Sequence, residues 1–163
     1  MRIIERDDDI DDSGSFDAFY RTERASVIRF IWLLTRDPST TEDVAHEAFA
    51  AVYRRFGDLD QPRAYLRRVI VNRIAERARR SDREERRIRL AHAGAATQVE
   101  GPSGGIADAI ALLPLRQRTA VVLRYWSDLD DFEIAAALGC RPGTVRSLLS
   151  RATARLRKDF HDA

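Results

Sequence analysis

The sequence predicts an all-α protein with two small helical domains joined by a flexible linker. Apolar residues recur every three or four positions through most of the chain, which is the spacing of amphipathic helices. The stretch AHAGAATQVEGPSGG, residues 91–105, instead consists of small and turn-forming residues without an apolar period, as linkers do. Hydrophobic residues make up 44% of the 163-residue chain and charged residues 33%, a balance typical of folded helical domains rather than disordered chains.

The first domain, residues 15–90, follows an acidic N-terminal tail, residues 1–14, and begins with a long helix. Ser15 is a suitable N-cap for a helix over residues 16–35, which the sequence RDPST ends. Seven apolar residues of this helix share one face and are predicted to line the core: Phe16, Phe19, Tyr20, Val27, Phe30, Ile31 and Leu34.

Two further helices are predicted in the first domain. Thr40 is expected to cap the second helix, because Asp43 follows three positions later in a near-capping-box pattern. The loop GDLDQ precedes the third helix, whose first turn suits Pro62. Beyond Ala78 that helix is almost wholly charged, so we expect it to project into solvent or onto a partner. The predicted core positions of the two helices are Val44, Ala45, Ala48, Phe49, Val52, Phe56, Tyr65, Leu66, Val69, Ile70 and Ile74.

The second domain, residues 106–163, starts with a short helix that ends near Leu113 and a helix over residues 115–126. The second of these is predicted to turn Val121, Val122, Tyr125 and Trp126 mostly towards a core. A helix-turn-helix pattern follows over residues 131–150, with Gly139 at the turn, where a positive φ is often required. Cys140 is predicted to pack beneath the turn as a small hydrophobe.

The second helix of this motif begins at Pro142 and has two distinct faces. Apolar residues face inward: Val145, Leu148, Leu149, Ala152 and Leu156. Arginine and hydroxyl groups occupy the other face: Arg146, Ser147, Ser150 and Arg151. This pattern favours a recognition helix that places those groups in a DNA major groove, whereas the alternative is an ordinary helical hairpin with a solvated basic face.

Charge is distributed unevenly along the chain. Residues 1–12 contain six acids against two arginines, whereas residues 63–89 contain eleven arginines against four acids. Residues 141–158 contain five arginines and one lysine without any acid. Two separate basic blocks indicate two contacts with a polyanion, although solvated helix faces would show the same charge.

Enzymatic function is not predicted. The sequence has no Gly-rich phosphate loop, no metal-ligand cluster and no Ser-His-Asp pattern, and its histidines are scattered, with only His46–Glu47 as a weak general-base pair. We therefore expect no cofactor, no metal and no small-molecule substrate. Cys140 is the single cysteine, which excludes an internal disulfide. The tail lacks a signal-peptide core and no apolar run has membrane-spanning length, so a cytoplasmic protein without membrane insertion is expected.

Motifs in both halves resemble a bacterial sigma factor of the sigma-70 family, in its compact extracytoplasmic-function (ECF) group. The segment TTEDVAHEAF is similar to the region 2 helix that docks on RNA polymerase, and PRAYLRRVIVNRIAERARR to the promoter-melting and minus-ten recognition helix. The segment LPLRQRTAVVLRYWSDLDDFEIAAALGCRPGTVRSLLSRATARLR is similar to region 4 along its full length. The resemblance implies that residues 15–90 are region 2 and residues 106–163 are region 4.

The resemblance also implies site residues in each region. The polymerase-binding face would include Asp43, His46, Glu47 and Arg54, where His46 replaces the family's usual glutamine and would make polymerase binding sensitive to pH. The minus-ten element, read as a single strand, would meet Asn72, Arg67, Arg68, Arg73 and Arg79. Glu76 stands where the family commonly has aspartate, which affects base preference. The duplex minus-thirty-five element would meet Arg141, Thr144, Arg146, Ser147, Ser150 and Arg151.

The function implied is promoter recognition and transcription initiation as a subunit of RNA polymerase, with core RNA polymerase and promoter DNA as partners. Many family members are also held inactive by an anti-sigma factor, which is a further partner to consider. A stand-alone helix-turn-helix repressor or activator is the alternative, and it accounts for residues 131–150 but not for the first domain.

Overall fold

The computed structural model describes residues 15–91 and 105–161, and within these ranges the regular structure is helical. Seven α-helices occur there, together with one short 3-10 helix at Phe56–Asp58. The α-helices are α1 (Phe16–Thr35), α2 (Pro38–Tyr53), α3 (Pro62–Ala91), α4 (Ile106–Ala111), α5 (Leu115–Tyr125), α6 (Asp131–Leu138) and α7 (Pro142–His161). This confirms the all-α prediction. The predicted linker falls mostly outside the described residues, as does the acidic tail.

Helices α1, α2 and α3 pack on one another to form the first helical group. Ser15 caps α1 as predicted, since its side chain accepts a hydrogen bond from the Ala18 N–H. The helix ends at Arg36, which adopts the left-handed conformation (φ 54°) and donates its N–H to the Trp32 carbonyl. The predicted core stripe is confirmed for Val27, Phe30, Ile31 and Leu34, which are all buried.

The predicted cap of α2 was wrong. The N-cap lies three residues earlier, at Asp37, and α2 begins at Pro38; the Asp37 carboxylate accepts a 2.7 Å hydrogen bond from the Thr40 N–H. Pro38 suits the first turn because that position needs no N–H donor, so the cap moves to the residue before it. Hydrogen bonds from Thr40 hold the pKa of Asp37 below its usual value, so the cap stays charged until the pH falls through that lowered pKa.

Helices α4 to α7 form the second helical group, in which α5 and α6 both pack on α7. Asp130 and Glu133 form a capping box at the start of α6, with the Asp130 carboxylate accepting from the Glu133 N–H at 2.8 Å. Gly139 ends α6 in the left-handed conformation (φ 61°), which confirms the predicted turn. Val145 and Ala152 are buried on the inner side of α7, as the helical spacing predicts.

The expectation that Tyr125 and Trp126 face mostly inward was wrong. Tyr125 is 75% exposed and Trp126 is 49% exposed, although Val121 and Val122 are buried. Both aromatic residues lie where the chain leaves α5, and the guanidinium of Arg29 from α1 lies over the Trp126 ring, 5.9 Å from its centroid. The Trp126 ring at the end of α5 thus contacts the first helical group.

The two helical groups pack against each other, although the linker predicts two separate domains. Helix α3 contacts α6, and α1 contacts both α4 and α5. Buried apolar residues from both groups belong to one continuous cluster, which runs from Val27 and Ile74 in the first group to Ala120, Ile134 and Val145 in the second. No helix in the described parts of the chain is long and apolar enough to cross a membrane.

The turn of the helix-turn-helix supplies a test of the fold. Gly139→Ala is expected to destabilise the protein by about 1–2 kcal/mol, because a Cβ disfavours positive φ. Gly143→Ala is the matched control: it lies in α7 with ordinary φ, and is expected to be neutral or to stabilise by up to about 1 kcal/mol. Neither Cβ would meet an atom within 4 Å, so only backbone conformation differs. Urea unfolding midpoints measure both effects, and equal shifts would contradict this account.

Candidate nucleic-acid interface

Helix α7 presents a basic, hydroxyl-bearing face to solvent. All six residues predicted to contact a duplex lie at its start or along its outer side, and all six are exposed: Arg141, Thr144, Arg146, Ser147, Ser150 and Arg151. Arg146 and Ser150 are four residues apart and share one side of the helix, as do Ser147 and Arg151. Helix α6 packs against α7.

Two of these side chains already have partners inside the protein. The Ser147 hydroxyl donates to the Gly143 carbonyl one turn earlier, at 3.2 Å. The Arg146 Nε lies 3.9 Å from the carboxylate of Asp131, which also forms an ion pair with Arg124 of α5. Asp131 is only 26% exposed, whereas Arg146 is 72% exposed. Asp131 thus orients Arg146 by its charge while leaving the guanidinium accessible.

Five residues of α3 are predicted to contact the single-stranded minus-ten element, and they project from the helix in three directions. Arg68, Asn72 and Arg79 are exposed and fall within about 40° of one another around the helix, so they form one continuous face. Arg73 projects about 140° from Arg68, towards α2, and Arg67 about 100° the other way, towards the second helical group. The structure thus brings three of the five together.

Arg73 is engaged by acids of the first helical group. Its Nε lies 3.4 Å from Glu47 of α2, and its guanidinium donates to Glu76 at 3.4 Å. Glu47 also accepts a 2.7 Å hydrogen bond from Arg77. Glu47 therefore joins α2 to α3, which ties a residue predicted for polymerase binding to one predicted for DNA binding. Glu76 makes a second link, accepting from Arg80 at 2.8 Å.

Arg67 lies between the two helical groups. It lines a cleft of about 650 Å³ together with Leu129 and Glu133, and a second, smaller cavity together with Ser127. The first cleft also contains Arg68 from α3. The side of α3 that carries Arg67 is therefore flanked by the second helical group.

Helix α2 presents the residues predicted for polymerase binding. Asp43, His46 and Arg54 are exposed, whereas Glu47 is half-buried by its ion pairs. His46 borders a groove of about 420 Å³ between α1 and α2. Its apolar side consists of aromatic rings in mutual contact, such as Tyr20 on Phe49 at 4.7 Å, with Phe16, Ile28 and Tyr53 alongside.

Sequence reasoning missed the residues that link the two helical groups. Arg118 of α5 donates hydrogen bonds to the carbonyls of Leu34, Ala111 and Leu113, and Arg36 forms an ion pair with Asp108 of α4. Burial lowers the pKa of Arg118, and the neighbouring Arg36 guanidinium lowers it further. The contacts between the groups, Arg118 with Leu34 and Arg36 with Asp108, join residues more than seventy positions apart, so no local pattern signals them. Asp131 was likewise missed as a partner of Arg146.

Grouped His, Cys, Asp and Glu side chains that would hold a metal ion do not occur within residues 15–91 and 105–161. The exposed features of the described surface are instead a basic face on α7, a basic and amide face on α3, and the outer side of α2 with its aromatic groove.

Two protein-family models match the chain, one in each half. The model described as Sigma-70 region 2 matches residues 3–84, and the model described as Sigma-70, region 4 matches residues 103–156. The RNA polymerase sigma-E factor of Streptomyces coelicolor is 35% identical, over 89% of this chain and 85% of the relative. The ECF RNA polymerase sigma factor SigM of Mycobacterium tuberculosis is 28% identical, over 89% of this chain and 76% of the relative.

A solved structure shares the fold. The sigma factor RpoE from Bartonella quintana, crystallised with the anti-sigma factor NepR, superposes with a TM-score of 0.70 at 20% sequence identity. The match covers 88% of this chain and 94% of that one.

Proposed function

The chain belongs to the sigma-70 family of RNA polymerase sigma factors, in its ECF group, and we propose that it brings core RNA polymerase to promoters through separate minus-ten and minus-thirty-five contacts. The observation that carries the proposal is the pair of exposed basic helices, α3 and α7, one in each matched region. A stand-alone repressor would need only the second. The protein lowers no chemical barrier itself; it positions DNA and helps to open it for the polymerase.

We assign the minus-thirty-five contact to the outer face of α7. Its apolar side is anchored by Val145 and Ala152, so the helix can enter a major groove without losing its support. Arg146 lies in the second turn, and the amino-terminal part of a recognition helix enters the groove most deeply, so Arg146 is assigned to a base edge. Arg151 projects about 140° from Arg146 and is assigned to a phosphate.

We assign the minus-ten contact to the face of α3 that carries Arg68, Asn72 and Arg79. An unstacked base presents its edge to an amide, which can both donate and accept hydrogen bonds, so Asn72 is the base partner. The two arginines flank Asn72 along the same face and hold the phosphates of the strand. Arg73 contributes less to this contact because Glu47 and Glu76 already neutralise it.

We assign polymerase docking to the outer side of α2, through Asp43, His46 and Arg54. These charged side chains are exposed, and the adjoining aromatic groove offers apolar area beside them. Glu47 supports this surface from below through its bonds to α3. The relative RpoE is bound by an anti-sigma factor, and we propose a partner of that kind for this chain too.

The central test is transcription with core polymerase. The protein alone is expected to start no transcript, whereas core polymerase plus the protein should give discrete starts on promoters from its own genome. Run-off transcription measures this. Failure to bind core polymerase, with any inhibitor removed, would overturn the proposal, and duplex binding without core dependence would favour the stand-alone regulator.

Asn72→Ala should weaken promoter opening more than polymerase docking, because it removes a base-edge partner and leaves α2 intact. Permanganate footprinting should show less unstacked thymine at a promoter that is still bound. Asp43→Ala is the reciprocal variant: it lies on α2 and should weaken docking first. Unchanged opening in Asn72→Ala would show that Asn72 makes no base contact.

Arg146→Ala should cost about 1–3 kcal/mol of binding at the correct minus-thirty-five element and much less at a scrambled one. Arg151→Ala should weaken both more evenly and reduce the salt dependence, as loss of a phosphate contact does. Polymerase complexes on two promoter fragments that differ only in this element, compared across a salt series, separate the two roles. If Arg146→Ala loses binding equally on both fragments, Arg146 does not read a base. Base reading would then be assigned to Ser147, Ser150 or Arg151.

A further inference from the structure

The two helical groups cannot serve both promoter elements while packed as they are. The element names place their targets about 25 base pairs apart, which is about 85 Å of duplex at 3.4 Å per base pair. A compact chain of this length has a radius of gyration of about 15 Å. The contacts of α3 with α6, and of α1 with α4 and α5, must therefore separate before both elements are bound.

A polar cluster joins the groups at the carboxyl end of α1, in addition to the apolar cluster that they share. The Leu34 carbonyl belongs to the last turn of α1, where carbonyls lack helical partners and a cation is favoured by the helix dipole. Arg118 supplies that cation from α5, and the same guanidinium binds the Ala111 and Leu113 carbonyls at the end of α4. One side chain therefore bridges two helix ends that belong to different groups.

An ion pair lies beside it. Arg36 follows α1 directly, and its guanidinium pairs with Asp108 of α4; the two side chains are 33% and 23% exposed. Because this pair is half-buried, solvent screens it less than a surface pair. Asp108 also neutralises Arg36, which otherwise repels Arg118. Arg118, Arg36 and Asp108 thus act together.

The closed arrangement affects the two DNA surfaces unequally. The outer face of α7 is exposed. On α3, by contrast, Arg67 lines clefts between the groups, and Leu129 and Glu133 of the second group line one of the same clefts. A DNA strand that tracks α3 on that side would meet an acid of the second group.

We propose that Arg118, Arg36 and Asp108 form a latch that keeps the free chain closed, and that its opening precedes simultaneous binding of both promoter elements. The claim about promoter binding rests on the proposed function, whereas the claim about the closed free chain does not. The latch works without any other protein, since both of its halves belong to this chain.

Small-angle X-ray scattering of the full chain tests the latch in the absence of polymerase. The parent should have a radius of gyration near the compact value of about 15 Å, and opening should raise it towards about 20 Å, as two groups on a 13-residue linker require. The latch variants are Arg118→Gln and Arg36→Asn, the latter because Asn tolerates the left-handed conformation. Arg116→Gln is the control, since it removes an exposed arginine from the same helix.

Expansion of both latch variants at unchanged helical circular dichroism, with Arg116→Gln like the parent, supports the latch. A parent that is already expanded, or latch variants as compact as the control, overturns it. If Arg118→Gln loses helical circular dichroism, the radius of gyration of Arg36→Asn alone tests the latch, because Arg36 lies outside the helices. Reversal of the pair, Arg36→Asp with Asp108→Arg, should restore the compact value.

Promoter binding then tests whether the latch opens before both promoter elements are bound. Open latch variants with core polymerase should form promoter complexes several-fold faster than the parent, and equal rates would overturn it. If the latch variants expand but the protein does not bind polymerase at all, the latch is supported and the proposed function is refuted. The two failures are therefore distinguishable.

Discussion

Burial of helix α1 is the constraint on which the rest of the molecule depends. Ile31 and Leu34 are 0% and 1% exposed, and the helix contacts α2 and α3 on one side and α4 and α5 on the other. Large aliphatic side chains buried to this extent contribute roughly 1.5–3 kcal/mol each. The same helix offers the Leu34 carbonyl to Arg118, so its apolar face and its polar end both organise the second helical group.

Acids within the protein determine which arginines remain available to DNA. The basic helices contain many arginines, yet Glu47 and Glu76 bind Arg73, and Asp131 lies near Arg146. Exposed pairs of this kind are worth little in stability, so they can exchange for a phosphate at small cost. Their effect is instead geometric, because each acid biases the direction of one guanidinium before DNA arrives.

The two DNA-binding helices are mounted differently, which suits their different targets. Helix α7 is held from behind by α5 and α6, as reading the groove of a duplex requires. Helix α3 extends well beyond its own core, and residues 79–88 are exposed on all sides of it. A single strand has no fixed groove, so a long helix with one polar face can follow it.

The sequence by itself determined the helices and their ends wherever the cause is local. Apolar spacing identified the buried sides of α1, α2 and α7, and Gly139 marked a turn, because a residue's neighbours within about four positions set helical periodicity, capping and φ. Where two local signals competed, as at Asp37 and Thr40, the prediction chose the wrong cap.

Only the tertiary structure decided which charges pair and how the two groups meet. Glu47 and Arg77 are 30 residues apart, and Arg118 and Leu34 are 84 apart, so their contacts arise from packing rather than from any spacing in the chain. The same packing left Tyr125 and Trp126 exposed at the end of α5, against the local pattern. Periodicity shows which side of a helix is apolar, but what covers that side depends on where distant helices lie.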